Sequence, residues 1–442
     1  MNLTSRRGVY GSGRTFVMRQ VTNTVMTVKE MFRLQLAFAV LLFVAPLTLL
    51  AQTDVHIRQD PRLIPVYNSN MIWNGVTTAA EGRVFVDFPH LDNTTGVRVA
   101  EISKDSSIHP YPEASWNQWS PGTDAYHAWV RPNALRIGPD GNLWVVDSGA
   151  SSLGGTVVDG GAKIVVFNLS TNQVARTYPF NRPIIGPKSY IDDIRFNGHM
   201  AYITDAGVPG LILMNLDTGA QRRVLDHDRS TTDERPMFAE GRALRTSDGK
   251  LVKVHADQLE VTPNGKYLYF QPASGPLYRI ETRWLDDPAA SNAEISRHVE
   301  LWYDTPPTGG TAIDADGNLY VTDVNKLRIL KITPEKKMTV LVSDPRLIWA
   351  DALWIDDQGD LWIPQAQLNR MAPFNNGISR VQLPVYIFKL HIGARPFLGI
   401  AEHRSAVPAY SSGGTRAPGK TKASFQESYG LLHHKLKLVM SS

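Results

Sequence analysis

One hydrophobic pattern occurs six times along the chain: an apolar run rich in β-branched and aromatic residues, a turn centred on glycine, and a second such run. Asp-Gly and Asn-Gly pairs favour the positive φ angles of tight hairpin turns, and the flanking residues are those that strands prefer. The pattern therefore predicts six β-hairpins. Their sequences are AAEGRVFVDF (79–88), GPDGNLWVVD (138–147), RFNGHMAYITD (195–205), TPNGKYLYFQ (262–271), DADGNLYVTD (314–323) and DDQGDLWIPQ (356–365).

The spacing of these hairpins indicates the architecture. Neighbouring copies lie about 40 to 70 residues apart, which fits a repeat unit of four strands. Most hairpins are followed by two further strand-like runs, such as KIVVFNL (163–169) and VARTYPF (174–180). A single hairpin cannot bury its faces, whereas four-stranded blades arranged radially bury them against their neighbours. We therefore predict an all-β protein, a six-bladed β-propeller, and regard six unrelated surface hairpins as the alternative.

The two ends of the chain differ from the region between them. Lys29 and Arg33 precede an apolar stretch, residues 34–50, and Ala51 follows it, an arrangement typical of a secretory signal peptide cleaved after Ala51. We expect residues 1–51 to be an N-terminal extension and signal peptide, residues 52–402 the propeller, and residues 403–442 a basic, disordered tail. The protein would be secreted or periplasmic, with no stable membrane insertion after cleavage. An uncleaved signal anchor is the alternative, because the apolar stretch is nearly long enough to span a bilayer.

Charge and cysteine content exclude several classes of function. Of 46 basic and 42 acidic residues, six basic and one acidic residue lie in 1–51, and the same numbers lie in 403–442. Residues 52–402 therefore hold 34 basic and 40 acidic residues, and this acidic balance argues against a nucleic-acid partner. The chain contains no cysteine, which excludes disulfides, thiolate metal sites and a cysteine nucleophile. Stretches 103–130, 228–251 and 286–299 are rich in Pro, Ser, Asp and Arg and are predicted to be long loops between strands.

Hairpin geometry predicts where a site would form. The first strand of each hairpin begins about eight residues before the turn glycine, so all six starts should ring the mouth of the central channel. Counting back gives oxygen-bearing side chains in five of the six copies. In the third copy the strand is shorter, so the equivalent residue is Asp192 or Asp193. Such a ring suits a hard cation such as Ca²⁺. Alternatively, Asn and Asp cap strand ends. The candidate metal ligands are Asn74, Asn133, Asp192, Asp257 and Asp351.

The second strands of the hairpins also end in polar residues. Asp147, Asp205 and Asp323 occupy this position, and we interpret them as structural residues that hold the turns that follow.

Further candidates come from residues near the same channel mouth. His127 and His255 are candidate general bases, although a single histidine near a loop is more often structural. Four aromatic residues could wall a ligand pocket or simply pack between blades: Tyr126, Trp129, Tyr190 and Trp349. The sequence contains no GxSxG elbow, no phosphate loop and no helical His-x-x-x-His pair.

Several segments resemble the major royal jelly protein and Yellow family, in its bacterial branch. They include DGNLWVVDSG (140–149), YITDAGVPGLILMNL (202–216), RRVLDHDRST (222–231) and IWADALWIDDQGDLWIPQAQLNRM (348–371). The resemblance covers roughly residues 60–395. It implies a secreted six-bladed propeller that binds a small molecule at the channel mouth. Relatives are linked to tautomerisation of dopachrome or to binding of biogenic amines or sterols. The lack of cysteine departs from the eukaryotic pattern.

Three hypotheses for function follow. In the first, a small molecule binds at the channel mouth, and Asp193 or Asp257 with a nearby histidine moves protons on it without a cofactor, as in a dopachrome tautomerase. In the second, the oxygen ring holds Ca²⁺ and the protein hydrolyses a lactone, similar to gluconolactonases. That resemblance implies a glutamate ligand where this chain has Asn74. In the third, the propeller is a non-enzymatic extracellular scaffold. Oligomeric state is left open.

Overall fold

A computed structural model describes residues 58–400 of the chain. The predicted signal segment and the basic tail lie outside these residues. At the turns, glycines such as Gly141 and Gly317 have φ of 73° and 82°, which side-chain-bearing residues rarely adopt. The flanking residues form antiparallel pairs, for example Ile137 opposite Leu143. Each of the six predicted hairpins is present and forms the inner part of one sheet.

The described residues form six four-stranded antiparallel sheets and one two-stranded hairpin. The protein is therefore a six-bladed β-propeller. Blade 1 contains β2 (Val76–Thr78), β3 (Val84–Asp87), β4 (Val99–Ile102) and β5 (Ile108–Pro110). Blade 2 contains β6 (Pro132–Ile137), β7 (Leu143–Asp147), β8 (Lys163–Asn168) and β9 (Gln173–Pro179). Blade 3 contains β10 (Ile191–Asn197), β11 (Met200–Asp205), β12 (Leu211–Asn215) and β13 (Gln221–Val224).

The remaining blades follow in chain order after the small hairpin of β14 (Phe238–Ala239) and β15 (Arg242–Ala243). Blade 4 contains β16 (Ala256–Val261), β17 (Tyr267–Pro272), β18 (Leu277–Glu281) and β19 (Glu300–Tyr303). Blade 5 contains β20 (Thr311–Ile313), β21 (Leu319–Asp323), β22 (Arg328–Ile332) and β23 (Met338–Ser343). Blade 6 contains β24 (Trp354–Ile355), β25 (Asp360–Pro364) and β26 (Val385–His391), together with β1 (Ile64–Ser69).

Blade 6 closes the ring. Strand β1 pairs antiparallel with β26, from Ile64 opposite Lys389 to Ser69 opposite Val385, and forms the outermost strand of the blade. The first strand of the propeller is thus hydrogen-bonded to the last. Such closure leaves no blade without a neighbour, and a propeller can then bury its faces without disulfides.

Helices are few and short. Blade 4 carries α1 (Thr282–Asp286) and α2 (Asn292–Arg297) between β18 and β19. The hydroxyl of Ser291 accepts a hydrogen bond from the backbone N–H of Glu294 and so caps the N-terminus of α2; part of the predicted loop 286–299 is therefore helical. Single 3-10 turns occur at Leu91–Asn93, Ser115–Asn117, Leu368–Arg370 and Ala372–Phe374. Within residues 58–400, no helix is long and apolar enough to cross a membrane.

The hydrophobic core lies between adjacent blades. Between blades 1 and 2, Trp129 is fully buried, its ring centroid lies 4.8 Å from that of Trp116, and its indole N–H donates to the carbonyl of Tyr111 at 3.0 Å. Phe167 packs against the same rings. Apolar burial of this kind contributes about 25 cal/mol per Å² of area removed from water. Trp129 is therefore core, which corrects its expected placement near the channel mouth.

A segment after β26, residues 393–400, crosses the face of the propeller that carries the six inner hairpin turns. We call this the turn face and the segment the strap. The backbone N–H of Ala315 in blade 5 donates to the carbonyl of Arg395 at 3.0 Å, and that of Gly198 in blade 3 donates to the carbonyl of Ile400 at 3.0 Å. Between these points Phe397 lies across the end of the channel. The strap therefore covers the channel at the turn face.

Candidate active site

A cavity of about 560 Å³ occupies the opposite end of the channel, at the mouth face, where the inner strands begin. All five residues predicted to ring the mouth line it: Asn74, Asn133, Asp192, Asp257 and Asp351. Blade 5 contributes Gly309 and Gly310, which carry no side chain. Simple counting along extended strands thus located the floor of this cavity, whereas the functional roles of these residues remain predictions.

Hydrogen bonds connect the floor residues of neighbouring blades. The Asn74 side-chain amide donates to the carbonyl of Asn133 at 2.7 Å, and the Asn133 amide donates to Asp192. Tyr190 donates its phenol proton to Asn133 Oδ1 at 2.9 Å. The indole N–H of Trp349 donates to Asp351 Oδ2 at 3.1 Å. The floor residues of blades 1, 2 and 3 therefore form one connected polar network, while Asp351 is held separately by Trp349.

The acids of the floor have perturbed pKa values. Burial, the negative charge of Asp257 and their shared hydrogen bond raise the pKa of Asp192 well above its usual range. Burial likewise raises the pKa of Asp257. Burial and the charge of Asp257 raise the pKa of Asp351. Because two hydrogen-bonded carboxyls cannot both ionise readily, the Asp192–Asp257 pair is arranged to hold a proton.

Beneath the floor, the channel is filled by a layer of ion pairs. Asp193 lies 2.6 Å from Arg136 and 2.7 Å from Arg195, and Arg195 also lies 2.7 Å from Glu260. Burial alone would raise the pKa of Asp193, but the two arginines hold it well below its usual range. Asp193 is therefore ionised, with both oxygens engaged. These contacts favour a structural role over the proton transfer predicted for it.

The strap closes the channel below this layer. Phe397, Leu398 and Gly399 line a space of only about 30 Å³ together with Arg195 and Glu260. That volume is too small for an organic ligand. Within residues 58–400, the ion-pair layer and the strap therefore lie between the cavity and the turn face.

Asp87 is a buried acid whose backbone carbonyl accepts the N–H of the floor residue Asn74; counting along the hairpins missed it, because the count reached Phe88. It is the last residue of β3 and is fully buried. Its Oδ1 accepts the backbone N–H of Gly75 at 2.8 Å, and its Oδ2 has no hydrogen-bond partner among the described residues. A Cβ on Gly75 would lie 2.7 Å from Oδ1, so glycine leaves the room that the carboxyl occupies. Burial raises the pKa of Asp87 to about 8.

The corresponding acids of other blades are saturated by structural contacts. Asp147 accepts the backbone N–H groups of Val130 and Arg131 and lies 2.9 Å from the buried ammonium of Lys163. Asp205 lies 2.8 Å from Arg223, and Asp323 lies 2.8 Å from Arg328. These contacts agree with the interpretation of the three residues as structural, and they set Asp87 apart.

The predicted aromatic and histidine residues separate into two groups. Tyr190 and Trp349 line the cavity. Tyr126 and His127 do not; His127 is exposed and hydrogen-bonded to Asp124 at 2.7 Å. His255 is half-buried beside the cavity, and its Nδ1 accepts the backbone N–H of Asp233 at 3.1 Å. The expected placement of His127 and Tyr126 at the channel mouth is thereby corrected.

The apolar walls of the cavity come from loops that the sequence did not assign. They comprise Leu91, Leu153, Leu244, Val252, Leu368, Met371 and Phe374. The β14–β15 hairpin is fixed to the loop at 368–374 by Glu240, which lies 2.7 Å from Arg370 and accepts the Asn369 amide at 2.7 Å. The cavity thus combines an acidic floor with apolar walls.

The metal prediction depends on the same floor. Among residues 58–400, no three His, Cys, Asp or Glu side chains form a group that could hold a metal ion. The predicted ring adds two asparagines to three aspartates. A Ca²⁺ site there stays a prediction.

The fold is a closed six-bladed propeller with a cavity of about 560 Å³ at one end of its channel. Residues 133–391, more than half of the chain, match the family described as Major royal jelly protein. The chain therefore belongs to the major royal jelly protein family, as its hairpin and loop segments predicted. No curated protein sequence matches the chain significantly.

Solved structures resemble the fold at low sequence identity. A luciferin-regenerating enzyme is 11% identical, with a TM-score of 0.50, over 77% of this chain and 98% of that one. Virginiamycin B lyase from Staphylococcus aureus is 16% identical, with a TM-score of 0.41, over 69% and 81%. A gluconolactonase from Xanthomonas campestris is 12% identical, with a TM-score of 0.45, over 74% and 89%. At these identities the likeness concerns the propeller fold alone.

Proposed function

We propose that the protein binds a small aromatic molecule in the cavity and catalyses a proton shift on it, in the manner of a dopachrome tautomerase. The observation that carries the proposal is that Asp192 and Asp257, on the first strands of neighbouring blades 3 and 4, both line the floor of the cavity, where burial raises the pKa of each. A tautomerase needs one group that removes a proton and one that supplies a proton elsewhere on the ligand. A carboxyl pair that holds one proton offers both, and no cofactor is required.

The proposed step conserves atoms and charge. The ionised carboxylate of the pair accepts a proton from one atom of the ligand, and the protonated carboxyl delivers its proton to a second atom of the conjugated system. The double bonds shift between these two atoms, and the pair again holds one proton. The apolar walls around Trp349 and Phe374 support the proposal, because they suit a flat ring and limit water.

The test is the decay of dopachrome absorbance with wild-type protein, Asp257→Asn and Asp192→Asn. General acid–base catalysis typically contributes about 10²- to 10⁴-fold, so each variant should lose about that factor in kcat. Asp248→Asn is the matched control, since Asp248 also lines the cavity but is paired with Lys250 at 2.7 Å. Wild-type rates equal to buffer would contradict the proposal, and melting curves would establish that the variants fold.

A Ca²⁺-dependent lactone hydrolase is the second candidate, supported by the five oxygen-bearing side chains that line the cavity. In this case Asn133→Ala with Asp257→Ala should abolish metal binding. Mass spectrometry of the purified protein, with melting curves before and after chelation, decides the point. About one Ca²⁺ per chain and a lower melting temperature on chelation would favour the hydrolase; an unchanged melt without metal would exclude its mechanism. Failure of both chemistries would leave the scaffold hypothesis.

Export is part of the proposal and rests on residues 1–51 of the sequence. N-terminal sequencing of protein recovered outside the cytoplasm should begin at Gln52. A protein that retains residues 34–50 and sediments with membranes would instead be anchored.

A further inference from the structure

Two consecutive blades carry the same pair of charged residues where the chain enters the inner strand. Lys188 precedes Asp192 by four residues at the start of blade 3, and Lys253 precedes Asp257 by four residues at the start of blade 4. All four side chains line the cavity. At the floor, Asp192 is buried and Asp257 is half-buried, whereas both lysines are exposed. Each segment therefore runs from a cation at the rim to an acid at the floor.

The spacing sets the length of this polar axis. Four residues of fully extended chain span at most about 14 Å. The cavity therefore has two lysines at one end and two aspartates at the other. In each pair the backbone positions of the lysine and the aspartate are separated by no more than that distance. Apolar residues, including Leu153, Val252 and Phe374, line the same cavity. A ligand along this axis would place an apolar body, such as an aromatic ring, against them and a polar group at each end.

The other basic side chains that line the cavity each have a carboxylate partner close by. Arg136 is paired with Asp193 at 2.6 Å, and Lys250 with Asp248 at 2.7 Å. Among the described residues, Lys188 donates to a single backbone carbonyl, that of Gly154, at 2.9 Å. Lys253 lies 3.8 Å from Asp233, whose Oδ1 already accepts the Ser274 hydroxyl at 2.6 Å. Both lysines therefore retain ammonium N–H groups that can donate to an anion.

We propose that the ligand is an aromatic carboxylate whose opposite end carries a hydroxyl or amine: the carboxylate lies between Lys188 and Lys253, and the hydroxyl or amine donates to the floor aspartates. This inference rests on the proposed function and specifies its ligand. A carboxylate held by two partly solvated lysines strengthens binding by about tenfold, because exposure weakens each ion pair. The lysines thus select the acid over the corresponding amine.

Calorimetry with four matched probes tests this inference. Para-hydroxyphenylpropanoate carries both ends, its primary amide lacks the negative charge, phenylpropanoate lacks the hydroxyl, and tyramine replaces the acid by an amine. We expect the first probe to bind most tightly and the amide about tenfold more weakly. In Lys188→Met/Lys253→Met the acid should bind no better than the amide, while the amide binds as it does to wild type. Lys250→Met, a control at the same rim, should leave the preference unchanged.

The possible outcomes separate this inference from the proposed function. Equal affinity for acid and amide, or tighter binding of tyramine, would overturn the carboxylate assignment and leave aromatic binding intact. Loss of affinity for both acid and amide in the double-lysine variant would assign the lysines to loop structure and also overturn it. Binding of no probe, together with no dopachrome turnover, would overturn the proposed function itself.

Discussion

Replacement of Arg195 by methionine should break the ion-pair layer below the cavity at its most connected point. The Arg195 guanidinium donates to Glu260 Oε2 at 2.8 Å and Oε1 at 2.7 Å, and to Asp193 Oδ2 at 2.7 Å. The side chains of Arg195 and Glu260 are only 12% and 4% exposed. Removal of one partner from a buried ion pair typically costs about 3–5 kcal/mol, because the remaining charge is left unpaired. We expect Arg195→Met to lower the free energy of unfolding by about that amount.

Urea unfolding at pH 7 measures this cost. Arg279→Met is the matched control: Arg279 also pairs with a glutamate, Glu300, at 2.8 Å, but these side chains are 25% and 57% exposed. The control should cost about 1 kcal/mol or less. The double variant Arg195→Met/Glu260→Met, which removes both charges, should recover much of the lost stability. Equal effects of Arg195→Met and Arg279→Met would refute the reasoning.

Acidification should reduce the difference in the free energy of unfolding between wild type and Arg195→Met. The pKa of Asp193 is lowered in the folded protein, so its contribution to stability is present above the pKa of the unfolded chain and is lost as pH falls through the folded value. Arg195→Met removes one of the two arginines that lower the pKa of Asp193, so this variant already lacks part of the stabilisation at pH 7. The variant should therefore lose less stability than wild type as pH falls from 4 to 2, below the ordinary carboxyl pKa of 3.8. A difference that grows on acidification would contradict this assignment.

Two further perturbations test the strap and a buried acid. Phe397→Ala/Leu398→Ala should open the turn face, so that a thiol introduced by Ala312→Cys into this cysteine-free chain reacts with maleimide at least about tenfold faster. A thiol introduced by Ala352→Cys at the mouth should be unaffected, and equal rates at position 312 would mean that the strap is not a seal. Burial raises the pKa of Asp286 to about 6, so its protonated form favours the fold and stability falls as pH rises through that value. Urea midpoints from pH 4 to pH 8 should therefore fall less in Asp286→Asn than in wild type, and parallel curves would contradict the assignment.

The floor of the cavity could be predicted because it depends only on counting along strands. An extended strand advances by a constant amount per residue, so a fixed number of residues before the turn glycine leads to the same end of every blade. That rule reached Asn74, Asn133, Asp257 and Asp351 without knowledge of any tertiary contact. The corresponding count forward from the turn glycine, which marks the ends of the second strands, missed Asp87 by a single residue, because β3 ends one residue earlier than that count assumed.

Residues in the long connections could not be placed in the same way. Tyr126 and His127 are near the start of blade 2 in sequence, yet they do not line the cavity. Their loop is held by Lys163, whose buried ammonium donates to the carbonyls of Ala125 and Ala128 at 2.9 and 2.8 Å. The sequence of the loop does not indicate that it will bind a lysine more than thirty residues further along the chain. Asp193 is a similar case, because one of its two arginine partners, Arg136, comes from the neighbouring blade.

The sequence by itself determined the strands, the hairpins, the number of blades and the polar ring at the channel mouth. These features follow from local turn chemistry and from the regular advance of the chain within a strand. Only the tertiary structure decided which acids are neutralised, which stay together at the floor, and which loops wall the cavity. Such properties depend on the side chains that neighbouring blades and distant loops bring into contact, and burial among those partners sets the charge of each acid.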